Sequence, residues 1–184
     1  EGKSVILAGA HYLNWEYLIT AQNFLFKHQA VGIGKPLSSS FWNKKMNKIR
    51  ERYGMRVIHA KNFKEKLEEW SNERIALLVL FDQSPSGSQF AYWHNFLNQN
   101  TAFLFGAENL AKKYNFPVVQ YKMTESRKGY YSIHLELISA KPQEINEGEI
   151  TKKLIENLED QILESPAFWL WSHKRWKRKA PIEG

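Results

Sequence analysis

Ile75–Phe81 (IALLVLF) is an unbroken apolar run that stops at Asp82-Gln83, ahead of a turn-rich stretch over 84–88. A short apolar run bounded by turn residues reads as a buried strand. Segments of the same kind recur upstream at Ser4–Ala10 (SVILAGA), Ala30–Gly34 and Met55–His59. Helical stretches separate them. Asn14 stands where it would cap a helix from Trp15 to about Lys27, and Ser40 where it would cap a basic helix ending at Gly54, a C′ glycine. Asn62 opens a short charged helix to about Trp70. Downstream, the pattern predicts a helix over Ala102–Tyr114 and a strand over Pro117–Met123. A second strand over Tyr130–Ile138 is expected to pair with it across Ser126–Gly129. Asn146 and Glu149 form a capping-box pattern for a helix to about Glu164, and Pro166 begins a last helix, aromatic and basic. The strand–helix alternation of the first half predicts an α/β fold with a central, mostly parallel sheet flanked by helices. The chain of 184 residues has no repeat or low-complexity linker, so one domain is expected over 1–184.

Composition narrows the function. Hydrophobic residues make up 43% and charged residues 24%, a globular balance rather than a disordered one. Cysteine is absent, which excludes disulfides, thiolate catalysis and cysteine-ligated zinc. Lys and Arg (26) exceed Asp and Glu (19) by seven, so an acidic partner is expected: nucleic acid, anionic lipid or an acidic protein. Seven Trp beside many Lys and Arg is also the mixture that a membrane–water interface selects. The start at Glu1, without Met and running at once into an apolar segment, reads as a piece of something longer.

In a doubly wound sheet, ligands gather beyond the carboxyl ends of the strands. Two such ends carry chemistry: Ala8-Gly9-Ala10-His11 after the first strand and Asp82-Gln83 after the fourth. His11 and Glu16 are five positions apart, about 500° of rotation on one helix, and so would point roughly 140° apart. Across a strand-to-helix turn they can meet. A carboxylate on one imidazole nitrogen fixes the tautomer and raises the basicity of the other. Such a pair can take the proton of a hydroxyl attacking an acyl carbon, while the adjacent helix N-terminus favours the developing oxyanion. The alternative reading makes His11 a structural histidine and Glu16 a first-turn helix carboxylate.

Gly9–Glu16 (GAHYLNWE) resembles the His-x₄-Asp/Glu motif, often written with Asn-Trp-Glu, of the bacterial lipid A biosynthesis acyltransferases (lauroyl/myristoyl type), within the lysophospholipid acyltransferase-like superfamily. Further blocks follow in the family's order. Lys35-Pro36 stands where the family has Arg-Pro, and Arg50 with Gly54 resembles its Arg-x-x-x-Gly. Ala76-Leu77-Leu78 leading to Asp82-Gln83 resembles the strand-plus-Asp-Gln block. Phe96, Phe105-Gly106, Leu110-Ala111 and Pro117-Val118-Val119 resemble the stretch after it. Pro166 with Trp169–Trp176 (WLWSHKRW) resembles the terminal Pro…Trp-x-His-x-Arg-Trp signature. The similarity spans about residues 5–178, without the family's amino-terminal membrane-anchoring portion.

The resemblance implies a glycerolipid acyltransferase-like fold. It also implies transfer of a fatty acyl chain from acyl-carrier protein to a hydroxyl of a lipid A precursor, with no cofactor or metal. His11 would be the general base and Glu16 its orienter. Lys35, Arg50, Asp82 and Arg175 would contact substrate, Lys35 keeping the charge of the family's Arg but not its bidentate fork. The implied partners are acyl-carrier protein, the lipid A precursor and an anionic membrane surface. The implied place is the cytoplasmic face of the inner membrane of a Gram-negative bacterium.

Two basic stretches bear on partners. In the terminal stretch, Trp169 and Trp171 are expected mostly in the core, and the cations of Lys174–Lys179 at an anionic lipid interface. Lys44–Arg52 could receive an acidic carrier protein or lipid phosphates, or form a solvated helix face. Gly32-Ile33-Gly34-Lys35 is no phosphate loop, since Gln29 and Pro36 stand where Gly and Ser/Thr are required. No Gly-x-Ser-x-Gly elbow occurs, and His28, His59, His94, His134 and His173 lack metal-ligand spacing. The Phe-Pro-Glu-Gly-type motif of glycerolipid acyltransferases is absent as well, which favours the lipid A branch. Other readings left open are the same fold acting on another glycolipid or an amine, and a non-catalytic module binding nucleic acid or anionic membrane.

Overall fold

The computed structural model describes residues 2–34, 38–59, 62–70, 72–87 and 91–179. Its centre is a parallel pair, Val5–Gly9 (β1) and Ile75–Leu80 (β4), in register from Val5 opposite Ala76 to Gly9 opposite Leu80. Gln29–Gly34 (β2) and Arg56–His59 (β3) extend the sheet on the β4 side. Val118–Arg127 (β7) and Tyr130–Ser139 (β8) extend it on the β1 side, giving the order β3-β2-β4-β1-β7-β8. Only β8 runs antiparallel, at an edge.

Alternation along each strand sends side chains to two separate cores. Leu7, Ala30 and Leu78 pack with Leu18 and Ile19 of Trp15–Leu25 (α1). Ile6, Ala8, Val31, Ile75 and Leu77 pack on the other face with Phe63 of Phe63–Glu69 (α3) and Ala107 and Ala111 of Gly106–Tyr114 (α4). Ile150, Leu154, Ile155, Leu158 and Ile162 of Glu149–Glu164 (α5) complete that second core. The remaining helix, Ser40–Arg50 (α2), buries none of its side chains fully.

The fold class agrees with expectation, and several local expectations are corrected. The helix expected over Ala102–Tyr114 begins only at Gly106 (α4), because Ala102 and Phe103 end the second strand of a hairpin, Tyr92–Phe96 (β5) with Gln99–Phe103 (β6). Asn14 precedes α1 without a side-chain cap, and α2 is capped by Ser39 rather than Ser40. Gly148, at φ 88, is the N-cap of α5 in place of the Asn146–Glu149 box. The acceptor that a capping side chain would supply comes from Glu108 of α4, fully buried, whose carboxylate accepts from Gly148 N at 2.8 Å and from Thr151 N at 2.9 Å. Pro166 starts one 3-10 turn to Phe168 in place of the expected helix, after which the chain runs irregularly over the carboxyl ends of β1 and β4. Trp169 is buried there, whereas Trp171, expected in the core, is half exposed. No helix among the described residues is long and apolar enough to cross a membrane.

Candidate active site

The parallel register decides the site. Gly9 and Leu80 are the last paired residues of β1 and β4, and two residues beyond each stand His11 and Asp82. From here β1 leads into α1 on one face of the sheet, while the chain after β4 reaches α4 on the other. The crevice between diverging strands is where open α/β sheets bind ligands.

The approach to His11 is shaped by Gly9 and Tyr121. A Cβ on Gly9 would lie 1.9 Å from the Tyr121 ring, so only glycine lets the ring cross β1 there. The Tyr121 hydroxyl donates to Ala10 O at 3.0 Å, fixing the peptide just before His11. Burial, helped by the charges of Asp82 and Glu16, pushes this phenol far above its ordinary pKa, so it remains a neutral donor.

Asp82 is 3% exposed and accepts three hydrogen bonds. His11 Nδ1 lies 2.7 Å from Oδ1, His11 N donates to Oδ2 at 3.0 Å, and Trp169 Nε1 donates to Oδ2 at 3.0 Å. A carboxylate on Nδ1 holds the proton there and leaves Nε2 with its lone pair, the tautomer a general base needs. Gln83 Nε2 sits 3.2 Å from His11 Nε2, and the edge of Trp15 packs on the imidazole at 5.2 Å between ring centroids.

Glu16 has a different partner. Its oxygens accept from Arg50 at the end of α2, from Nε at 3.1 Å and from the terminal guanidinium nitrogen at 2.5 Å. The carboxylate that orients His11 is therefore Asp82, and the expected His11–Glu16 bond is corrected accordingly. The bidentate pair clamps α2 to the first turn of α1, which follows directly from the His11 turn. Between His11 and Glu16 the backbone passes through Leu13 at φ 50, a left-handed conformation rare for leucine. Leu13 N donates to Phe168 O at 2.9 Å, which holds that turn in place.

The terminal signature also serves this site. Leu170 N donates to His11 O at 3.1 Å, and Tyr12 OH donates to Ser165 O at 2.8 Å. His173 Nε2 accepts from Ser84 N at 3.0 Å, and Trp176 Nε1 donates to Thr101 Oγ1 at 2.8 Å. Arg178 donates to Pro85 O and Ser86 O in the loop after β4. Arg175 points inward. Its guanidinium lies 4.2 Å from the centre of the Phe103 ring, it is 3% exposed, and none of its nitrogens has a hydrogen-bond partner among the described residues. Burial, partly offset by Asp82, pulls its pKa down to about 10, so it carries its charge at neutral pH. Two cations expected at a lipid interface, Arg175 and Arg178, thus face the protein.

Of the six site residues expected from sequence, His11 and Asp82 meet, Glu16 and Arg50 meet beside them, and Arg175 lies within electrostatic reach of Asp82. Lys35 lies outside the described residues. Sequence reasoning missed Trp169 as a donor to Asp82 and Gln83 at Nε2. The equal offset of His11 and Asp82 from two strand ends is visible in the sequence; that those two strands are neighbours is not.

No curated protein matches the chain. The family model for bacterial lipid A biosynthesis acyltransferase matches residues 1–178, nearly all of it. With a His–Asp pair at the switch point of an α/β sheet and that span of agreement, the chain belongs to the bacterial lipid A biosynthesis acyltransferase family.

Proposed function

We propose that the chain moves a fatty acyl group from acyl-carrier protein to a hydroxyl of a lipid A precursor at the cytoplasmic face of the inner membrane, with His11 as general base. The acceptor hydroxyl gives its proton to His11 Nε2 as its oxygen bonds to the thioester carbon. The C–S bond then breaks, and the imidazolium returns the proton to the departing thiolate. Asp82 holds the tautomer and stabilises the imidazolium that forms. The observation that carries this reading is the 2.7 Å contact between His11 Nδ1 and Asp82. Arg175 supports it as a buried guanidinium with unmet demand for an anion, suited to a phosphate or to the carbonyl oxygen as it gains charge.

Acyl transfer by the full-length enzyme, followed with acyl-acyl-carrier protein and a lipid A precursor, tests it. His11→Ala is expected to lower turnover by about 10²–10⁴-fold with an unchanged circular dichroism spectrum. Near-normal turnover in that variant would refute the assignment.

A further inference from the structure

α2 is amphipathic in an unusual sense. Asn43, Met46, Asn47 and Arg50 form its half-buried stripe, at the i, i+3, i+4, i+7 spacing of one helix face. Phe41, Trp42 and Ile49 point the other way, 66%, 52% and 43% exposed. At 100° per residue they share an arc of roughly 160° with Lys44, Lys45 and Lys48, all exposed. Lys45 Nζ lies 5.1 Å over the Trp42 ring, so cation and aromatic lie on one surface. The helix contains no Asp or Glu. Beyond the end of α2, Phe24 of α1, 71% exposed, meets the ring of Tyr53 at 5.0 Å.

We propose that this outer face of α2 is a docking surface for an anionic lipid bilayer, with Phe41, Trp42 and Ile49 in the headgroup–acyl boundary and the lysines among the phosphates. The face is a convex helix flank that mixes large apolar side chains with flexible cations. Lysine stems can follow those side chains into a soft interface and keep their charge at the surface. An acidic protein partner would satisfy the lysines but would leave Phe41 and Trp42 without a matching groove. The proposal does not rest on acyl transfer. It differs from the tail as an interfacial element, because Arg175 is buried over the Phe103 ring and Arg178 donates to the loop after β4.

The test is sedimentation of the chain with vesicles of phosphatidylcholine, alone or mixed with phosphatidylglycerol, at low and high salt. Binding is expected only to the anionic vesicles and is expected to weaken with salt. Replacing Lys44, Lys45 and Lys48 together by Ala should lower the partition coefficient on the order of 100-fold. Phe41→Ser with Trp42→Ser should lower it by a similar factor. A control with Lys174, Lys177 and Lys179 replaced by Ala should bind like the parent. These side chains are exposed, and unchanged circular dichroism confirms that each variant folds. The proposal is overturned by absence of vesicle binding, equal binding to neutral vesicles, or loss in the control but not in the α2 variants. Capture of an acidic protein through the α2 lysines without vesicle binding overturns it as well.

Discussion

Asp82 takes the place at His11 expected of Glu16, and Glu16 makes an ion pair instead. One sits under the imidazole; the other binds a guanidinium from a neighbouring helix. Their substitutions should therefore fail differently. Asp82→Asn presents an amide to Nδ1 and lets the imidazole adopt the wrong tautomer, so turnover should fall by about 10³–10⁴-fold with little change in KM. Glu16→Gln loses the charge of the Arg50 pair and loosens α2 while His11 keeps its proton on Nδ1, so turnover should fall by about tenfold or less. Steady-state kinetics of the two variants side by side check this, and a larger loss at Glu16 than at Asp82 would reverse the assignment of roles. His11 itself was legible in the sequence, because an imidazole straight after a Gly-flanked buried strand stands where ligands collect. Its partner was not. Choosing between Glu16 and Asp82 requires knowing that β1 and β4 are neighbours in register, and neither stretch contains that information.

The same division runs through the elements. β1 and β4 were readable because every side chain along them is apolar, so burial on both faces needs no context. The β5–β6 hairpin was not. Its two-residue turn is Leu97-Asn98, at φ 50 and 60, without the glycine that marks such turns. The support comes from outside, since Leu97 N donates at 2.6 Å to Glu159 of α5. The start of α5 is another case, because its capping carboxylate arrives from α4. Buried Glu108 accepts from two backbone amides of α5 and from the Thr151 hydroxyl at 2.7 Å, with Lys112 Nζ at 3.4 Å. Negative charge at a helix N-terminus is favourable, and Glu108→Gln would replace an acceptor by a donor facing N–H groups. That variant should lose about 2–3 kcal/mol of stability, read as a lower urea midpoint at unchanged m-value. A midpoint within error of the parent would mean that α5 needs no such cap.

In the molecule as a whole, the segment after α5 fastens the two site loops to each other. Among its contacts, the one at His173 depends on pH. The ring is held below its ordinary pKa by burial first, then by Lys177 and Arg175, with His11 acting the same way and Asp82 opposing. The neutral ring accepts from Ser84 N; a protonated Nε2 cannot. Since the folded pKa is depressed, the unfolded chain takes up this proton first as pH falls. The contribution to stability is complete above about 6.5, the unfolded value, and is lost as pH drops through the lower folded value. His173→Gln keeps an acceptor without the titration. The Tm advantage of the parent over this variant should therefore shrink by about 2–4 °C between pH 7.5 and pH 5. A constant difference across that range would remove His173 from the pH response.

Asp82 acquires its third donor only from Trp169, so the pair at the switch point depends on residues 87 positions apart in the chain. During translation, residues 11 and 82 leave the ribosome long before their clasp is synthesised. A nascent chain can lay down its whole six-stranded sheet while Asp82 still lacks this donor, and the pair gains its full set of hydrogen bonds only once Trp169 has been added.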